Sequence, residues 1–487
     1  MPKIKITEID NTGFAQSTEV PNVVFIPGVS ISGKKTSPVL YTSYSSFMKD
    51  ANKYLNDDAS FKMAKELLRL GLHVLYQGFV PVATSTNYEA GEFKTAIEVS
   101  TEGQVTTKTF VINSVEYTIT NNAITADSNT YPLVNGVVNM SEYIGEILLN
   151  PDAEPEERVY AEQIFTVDFV NGYVLYTVRA IPQGSIVISS DDWALLEDRN
   201  LYDIRFLTTG GYAGPTTTTV KMLECAANRG DCVALLDHPD TLTTVAGVRE
   251  FFATLTSPSP KKNKDNPLSF SAAFTPWFTA ELFDEEVHVP ASFGYLCAFA
   301  TAIKTNPIWF AVAGSFRGVI PELVNVDVKY TSSECEVLQA RGAEKEVELD
   351  DELDNVGFAI NPIALENPYG YVIWGNRTFR ANAGELKSSS ILNCRMLVSE
   401  VNKTLYRAAK RYTFEQNSDV LWVNFTSMIT PTLDKMKSGD GVEDYAIVKL
   451  GTNKKARLKA RVMITPIEGV EDFDMEIYMA DSIEVSE

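Results

Sequence analysis

An alternation of strand-like and helix-like segments runs through this chain, stops near Ala83 and resumes near Leu201, and that interruption constrains the fold more than any other feature. Before the break, NVVFIPG reads as a strand closed by Pro27 and Gly28. SFKMAKELLRLG then sets Met63, Leu67 and Leu68 at helical spacing and stops at Gly71, a natural C-cap. HVLYQGFV is the next strand. After the break, TVKMLECAANRG, CVALLD, VAGVREFFATL and LSFSAAF read as helix, strand, helix and strand. Between them, residues 84–190 are dense in Thr, Val, Ile and Asn, with turn signals at strand-length intervals. The sequence therefore predicts an α/β (α+β) multidomain fold, with an α/β core interrupted by an inserted mainly-β domain.

Charge and cysteine usage narrow the function classes. The chain of 487 residues carries 42 Lys+Arg against 64 Asp+Glu, a net charge of −22, which argues against a nucleic-acid coat. No apolar run is long enough to cross a membrane. The start, MPKIKITEID, lacks the apolar stretch of a secretory signal, so a cytoplasmic site of synthesis is expected. The five cysteines (Cys225, Cys232, Cys297, Cys335 and Cys394) contain no CxxC pair and read as small buried thiols. His73, His238 and His288 lie too far apart in sequence for a spaced metal motif, so no metal, cofactor or catalytic residue is assigned.

Three segments imitate functional sites. Gly28–Thr36, GVSISGKKT, approaches a phosphate-loop pattern, but Lys35 displaces the hydroxyl, and Pro38 with a β-rich PVLYTSY follows where a helix should begin. A strand-to-strand loop is the better reading. The acidic run Glu344–Asn355 lacks the glycine and spaced oxygens of a calcium loop and reads as a solvated connection. Asp237, His238 and Asp240 in LLDHPD have no accompanying nucleophile motif and read as a strand end turning at Pro239.

The C-terminal third is more ordered in its charge. Residues 361–467 hold 16 Lys and Arg against 9 Asp and Glu, whereas the last twenty residues hold 8 acids and no base. In RMLVSEVNKTLYRAAKRY, Leu397, Val401, Leu405, Ala408 and Tyr412 form one helical stripe, and Lys403, Arg407, Lys410 and Arg411 fall opposite, on either a solvated face or a cationic strip for an acidic surface. Two further segments alternate with period two. ARLKARVMI has a basic face, and EDFDMEIYMA sets Phe473, Met475, Ile477 and Met479 against an acidic one. The two could close a hairpin through Thr465–Gly469, or the terminal strand could pair with a neighbouring chain. PKIKITEI, with Ile4 and Ile6, is a second candidate arm.

Four segments in order resemble the contractile tail sheath proteins of bacteriophages, a family shared with R-type bacteriocins and related injection machines. NPYGYVIWGNRTF (Asn367–Phe379) looks like the family's glycine-rich Trp-Gly-x-Arg-Thr stretch, through Gly370, Trp374, Gly375, Arg377 and Thr378. NVGFAINPI is similar to the strand that precedes it. VPASFGYLCAFATAIKTNPIWFAVAG resembles the family's helix and Trp-containing stretch, with PASFG where Pro-Pro-Ser is common, and FSAAFTPWF resembles its Ala-x-x-x-Pro-Trp strand. The resemblance spans about Tyr202 to Ile467 plus the opening strand. Residues 84–190 fall outside it, in a region that varies in the family as an outward-facing insertion.

The resemblance implies a structural, non-enzymatic subunit that polymerises as stacked six-membered rings around an inner tube and contracts to drive that tube through a bacterial cell envelope. Its implied partners are copies of itself, the inner tube protein, and baseplate and tail-terminator proteins, in a virion tail assembled in the host bacterial cytoplasm, with no nucleic-acid contact and no membrane insertion. The implied division is an N-terminal arm (1–20), an α/β core (21–83 and 191–360), the insertion (84–190), an inner C-terminal domain (361–470) and a C-terminal arm (471–487). Ile4, Ile6, Phe473, Met475, Ile477 and Met479 would form inter-subunit strands, and Lys403, Arg407, Lys410 and Arg411 would face the tube, with Lys435 and Lys437 as lesser candidates. Two other classes are a non-contractile virion surface or adhesion protein, suggested by the β insertion, and a nucleotide-binding α/β enzyme, which depends on the Gly28–Thr36 loop.

Overall fold

The computed structural model describes residues 22–79, 91–139, 160–339, 358–380 and 388–469, apart from short internal breaks. The candidate arm residues Ile4, Ile6, Phe473, Met475, Ile477 and Met479, and the acidic run Glu344–Asn355, lie outside the described residues.

The chain opens with β1 (Val23–Val29) and β2 (Val39–Tyr41), passes through helices α1 (Tyr44–Met48) and α2 (Ala59–Leu70), and returns as β3 (His73–Phe79). Helix α2 ends where the sequence says it should, with Gly71 in the left-handed region at φ 98°. The next nine strands are β4 (Gly91–Ala96), β5 (Glu98–Glu102), β6 (Val105–Ile112), β7 (Val115–Ile119), β8 (Ala123–Ala126), β9 (Asn129–Pro132), β10 (Val137–Asn139), β11 (Tyr160–Asp168) and β12 (Tyr173–Ile181). They make two antiparallel sheets of their own, β5-β6-β7-β8-β9 and β10-β11-β12-β4.

Helix α3 (Ser190–Leu196) restarts the alternation, followed by β13 (Phe206–Leu207), α4 (Thr216–Arg229), β14 (Val233–Leu236), α5 (Val245–Ala253) and β15 (Ser271–Thr275). A small antiparallel sheet is built from β16 (Phe278–Leu282), β17 (Glu285–Val289) and, beyond helices α6 (Ala291–Ala302) and α7 (Gly314–Arg317), β18 (Leu323–Val326). Helix α8 (Ser332–Leu338) precedes β19 (Ile360–Glu366) and β20 (Gly370–Ile373). The chain then gives two twenty-residue helices, α9 (Leu392–Arg411) and α10 (Asp419–Ser438), and the hairpin β21 (Val442–Leu450) with β22 (Lys459–Pro466).

One eight-stranded sheet, ordered β2-β3-β1-β13-β14-β15-β19-β20, organises the molecule. It is parallel from β3 to β19 and antiparallel only at its two edge pairs. Side chains alternate across it: Val24 and Ile26 pack with α2 and α6 on one face, and Val23 and Phe25 with α3 and α4 on the other. Both faces are covered by helices, which is why β1 and β14 are buried along their whole length.

The division at 361 falls inside β19, and the core sheet continues through β20 to Ile373, so the hydrogen-bonded core reaches further along the chain than the charge shift suggests. Strand β22 pairs with β21, a strand the sequence reading did not single out, while its expected partner EDFDMEIYMA lies outside the described residues.

Candidate functional site at the joint between core and C-terminal helices

The glycine-rich stretch turns out to be a joint. Gly370 sits at φ 94° in the turn between β19 and β20, a conformation open mainly to glycine. The next residues leave the sheet edge and are held by Asn361 on β19, whose Nδ2 donates to Ala273 O at 3.0 Å and Arg377 O at 2.9 Å while its Oδ1 accepts from Arg377 N at 2.8 Å. A Cβ on Gly375 would lie 2.7 Å from that same Oδ1, so only glycine lets the strand come this close. Phe379 N then donates to Ser271 O at 2.7 Å, tying the stretch to β15.

The joint also fixes the start of α9. Asn376 Oδ1 accepts from Asn393 N at 3.2 Å, Asn376 Nδ2 donates to Asn393 Oδ1 at 2.8 Å, and Asn393 Nδ2 donates to Trp309 O at 3.1 Å. Of the five motif residues, Arg377 and Thr378 are buried, whereas Trp374 is 41% exposed. The motif is thus a buried polar seam whose lost members would strand backbone groups away from water.

Further along α9 the basic residues meet the core. Lys403, expected on the outer face, is buried at 2% exposure: its Nζ ion-pairs with Asp203, donates to Ile204 O at 2.8 Å and lies 3.9 Å from Asp231. Arg407 pairs with Asp203 at 2.5 Å. Lys403 is a correction to the expected tube-facing set, because the acidic surface it docks on is the chain's own core rim, whereas Arg407 leans on the same acid with its side chain 37% exposed. Lys410 and Arg411, in the last turn, are exposed.

The rest of this network is reciprocal. Asp231 is buried and pairs with Arg229 and Arg199, each at 3.0 Å, while core Arg205 reaches out to Glu400 on α9 at 2.7 Å. Burial works to raise the Asp203 carboxyl, but Lys403 and Arg407 outweigh it and hold it below its ordinary value. Burial has the larger hand on Lys403 and holds its ammonium below the ordinary range. Arg395, stacked over Phe270 and donating to Ser269 Oγ at 2.8 Å, is pushed down to about 10, chiefly by burial.

The look-alike sites resolve differently. In Gly28–Thr36, Lys35 pairs with Asp192 at 2.6 Å and Thr36 Oγ1 accepts from Gly78 N at 2.9 Å, and the chain goes on into β2 with no helix to cradle phosphate. No cluster of three metal-ligating side chains occurs among the described residues. His238 is buried, with Nε2 2.9 Å from Thr275 Oγ1 and Nδ1 2.8 Å from Pro239 O. Asp237 accepts from Ser292 N at 3.0 Å and from Ser292 Oγ at 2.6 Å, tying the end of β14 to the start of α6.

Asp237 gives a pH-dependent prediction. Burial, only partly offset by Ser292, pushes its carboxyl up to about 7 from an ordinary 3.8. The folded state therefore holds a proton that the unfolded state has released, so this contribution is complete below about pH 4 and is lost as pH rises through 7. Its size is up to about 4 kcal/mol. Asp237→Asn keeps an acceptor for Ser292 N without a titrating group. Thermal melts from pH 5 to 8 should show the variant gaining steadily on the parent, and parallel curves would contradict the assignment.

No protein-family model matches the sequence, and no curated protein resembles it at a significant level. Solved structures do. A chain of the anti-feeding prophage baseplate, solved with six-fold symmetry, aligns over 99% of both chains at 13% identity with a TM-score of 0.51. The anti-feeding prophage helical sheath in its contracted state aligns over 98% of both chains at 12% identity with a TM-score of 0.50. At such identity the likeness is one of fold. The chain has the multidomain α/β fold of contractile sheath proteins, the class its sequence motifs resemble.

Proposed function

We propose that this chain is a structural subunit of a contractile sheath, polymerising as stacked six-membered rings around an inner tube and shortening to drive that tube through a cell envelope. The observation that carries the reading is an end-to-end fold alignment, over 98% of both chains, with a sheath solved in its contracted state. The hairpin β21–β22 supports it. Its two strands pair only with each other among the described residues, so both edges offer backbone donors and acceptors to an added strand. Terminal arms 1–20 and 471–487 of adjoining copies are the strands proposed to add there, and baseplate and terminator proteins would cap the ends of the polymer. Within a particle the chain would be a tail component with a mechanical task and no catalytic one.

Of the four basic residues first considered for the tube, Lys410 and Arg411 keep that role, because Lys403 and Arg407 are engaged by Asp203. Reversing both charges, Lys410→Glu with Arg411→Glu, should leave the stability within about 0.5 kcal/mol of the parent's, as for other exposed sites. Binding to isolated tubes, measured by co-sedimentation, should be lost. Undiminished binding would remove these residues from the tube contact.

A further inference from the structure

A cavity of about 450 Å³ opens between the core, the loop after α6, and helices α9 and α10. Its lining includes Arg205, whose side chain is only 1% exposed. One guanidinium nitrogen, Nη2, donates to Glu400 Oε2 at 2.7 Å. The other two, Nε and Nη1, are buried with no acceptor among the described residues. Asn22, on the same lining, has a buried Oδ1 with no donor among the described residues. A buried guanidinium keeps its charge and all its donors, so leftover N–H groups call for an acceptor that the described residues do not provide.

The mouth is basic. Lys304 and Lys435 line it, both exposed, and neither has an ion-pair partner among the described residues. Against these cations the lining holds one acid, Glu400, already engaged by Arg205. The balance favours an anion.

We propose that this cavity binds a phosphate-class oxyanion, either inorganic phosphate or a small phosphate monoester. The leftover groups define the ligand: two nitrogens of Arg205, Nε and Nη1, need acceptor oxygens, and the acceptor on Asn22 needs an O–H. Near neutral pH inorganic phosphate offers both, since its mono- and dianion each keep an O–H, and a monoester offers both while singly ionised, up to its second pKa of about 6. A carboxylate or a sulfate offers acceptors alone and leaves Asn22 Oδ1 unmatched. Thr404 on α9 adds a hydroxyl that can serve either role. Because the walls come from the core and from both C-terminal helices, an oxyanion seated here bridges the parts that the ionic joint already holds together.

The test is thermal melting of the full chain titrated with sodium phosphate, and in a parallel arm with glycerol phosphate, against chloride, sulfate and acetate at matched ionic strength. Phosphate should raise the melting temperature saturably, and its half-saturation should be at least about tenfold lower than that of sulfate or acetate. Saturation by inorganic phosphate alone would identify the free ion as the ligand, and tighter saturation by the monoester would identify the ester. Lys304→Ala with Lys435→Ala changes only exposed side chains and should raise the half-saturation about tenfold. Arg205→Lys, which keeps the charge toward Glu400 but removes the fork, should abolish saturation. A rise no different from chloride would mean the cavity holds water only and would overturn the proposal. So would acetate saturating as tightly as phosphate, or a double variant that titrates like the parent.

Discussion

Replacing Asp231 with alanine should destabilise the chain by about 3–5 kcal/mol, the cost of leaving buried cations without their counter-charge. Asp231 is buried at 3% exposure, accepts from Arg229 at 3.0 and 3.3 Å, ion-pairs with Arg199 at 3.0 Å and lies 3.9 Å from Lys403. Arg229 keeps its bonds to Leu196 O and Tyr202 O in the variant, but loses the carboxylate it pairs with. The damage should be local to the joint. Hydrogen exchange should quicken in α9 and in the end of α4, while the amides between β6 and β7 keep their protection. A stability loss under about 1 kcal/mol would mean that water reaches these cations, as it does at exposed pairs.

The second large effect is on assembly. Removing residues after Val470 should leave a folded, soluble subunit with an unchanged melting temperature and no polymer. One side of the β21–β22 hairpin packs on α9 and α10 through Tyr445, Ile447, Val462 and Ile464. The other side leaves Val448 at 40% and Met463 at 46% exposure. A two-stranded sheet is marginal on its own and gains most from a third strand. The removed segment carries Phe473, Met475, Ile477 and Met479 at the alternation such a strand needs. Sedimentation of parent and truncated chains side by side reads the difference, and long polymers from the truncated chain would exclude the arm.

The core was readable because its signals are local. Helix α2 announces its end at Gly71, and β1 and β14 are continuous apolar runs of the kind that a sheet covered on both faces requires. Helix α9 shows where such reading stops. Its apolar stripe was correct for Leu397, Val401 and Ala408, which are buried. Its opposite face reads as either a solvated face or a cationic strip for a partner, because periodicity sees only one buried side. Lys403 is buried on a second side, against Asp203 and Asp231, about 200 and 170 residues away, and no spacing within the helix records that. The seam around Asn361 was hidden for the same reason. The sequence marks Gly375 and Arg377 as a motif, but not that Asn361 fills the space a Cβ would need. Strand β21 was missed because its exposed face carries Glu443, Asp444 and Lys449 among the apolar residues, blurring the alternation.

The most direct test is helical reconstruction, by electron cryomicroscopy, of whatever polymer the purified full chain forms. The account predicts a sixfold tube in which residues 471–487 of one copy extend the β21–β22 sheet of the next. Discrete particles in which each chain's ends lie against its own sheets would contradict it.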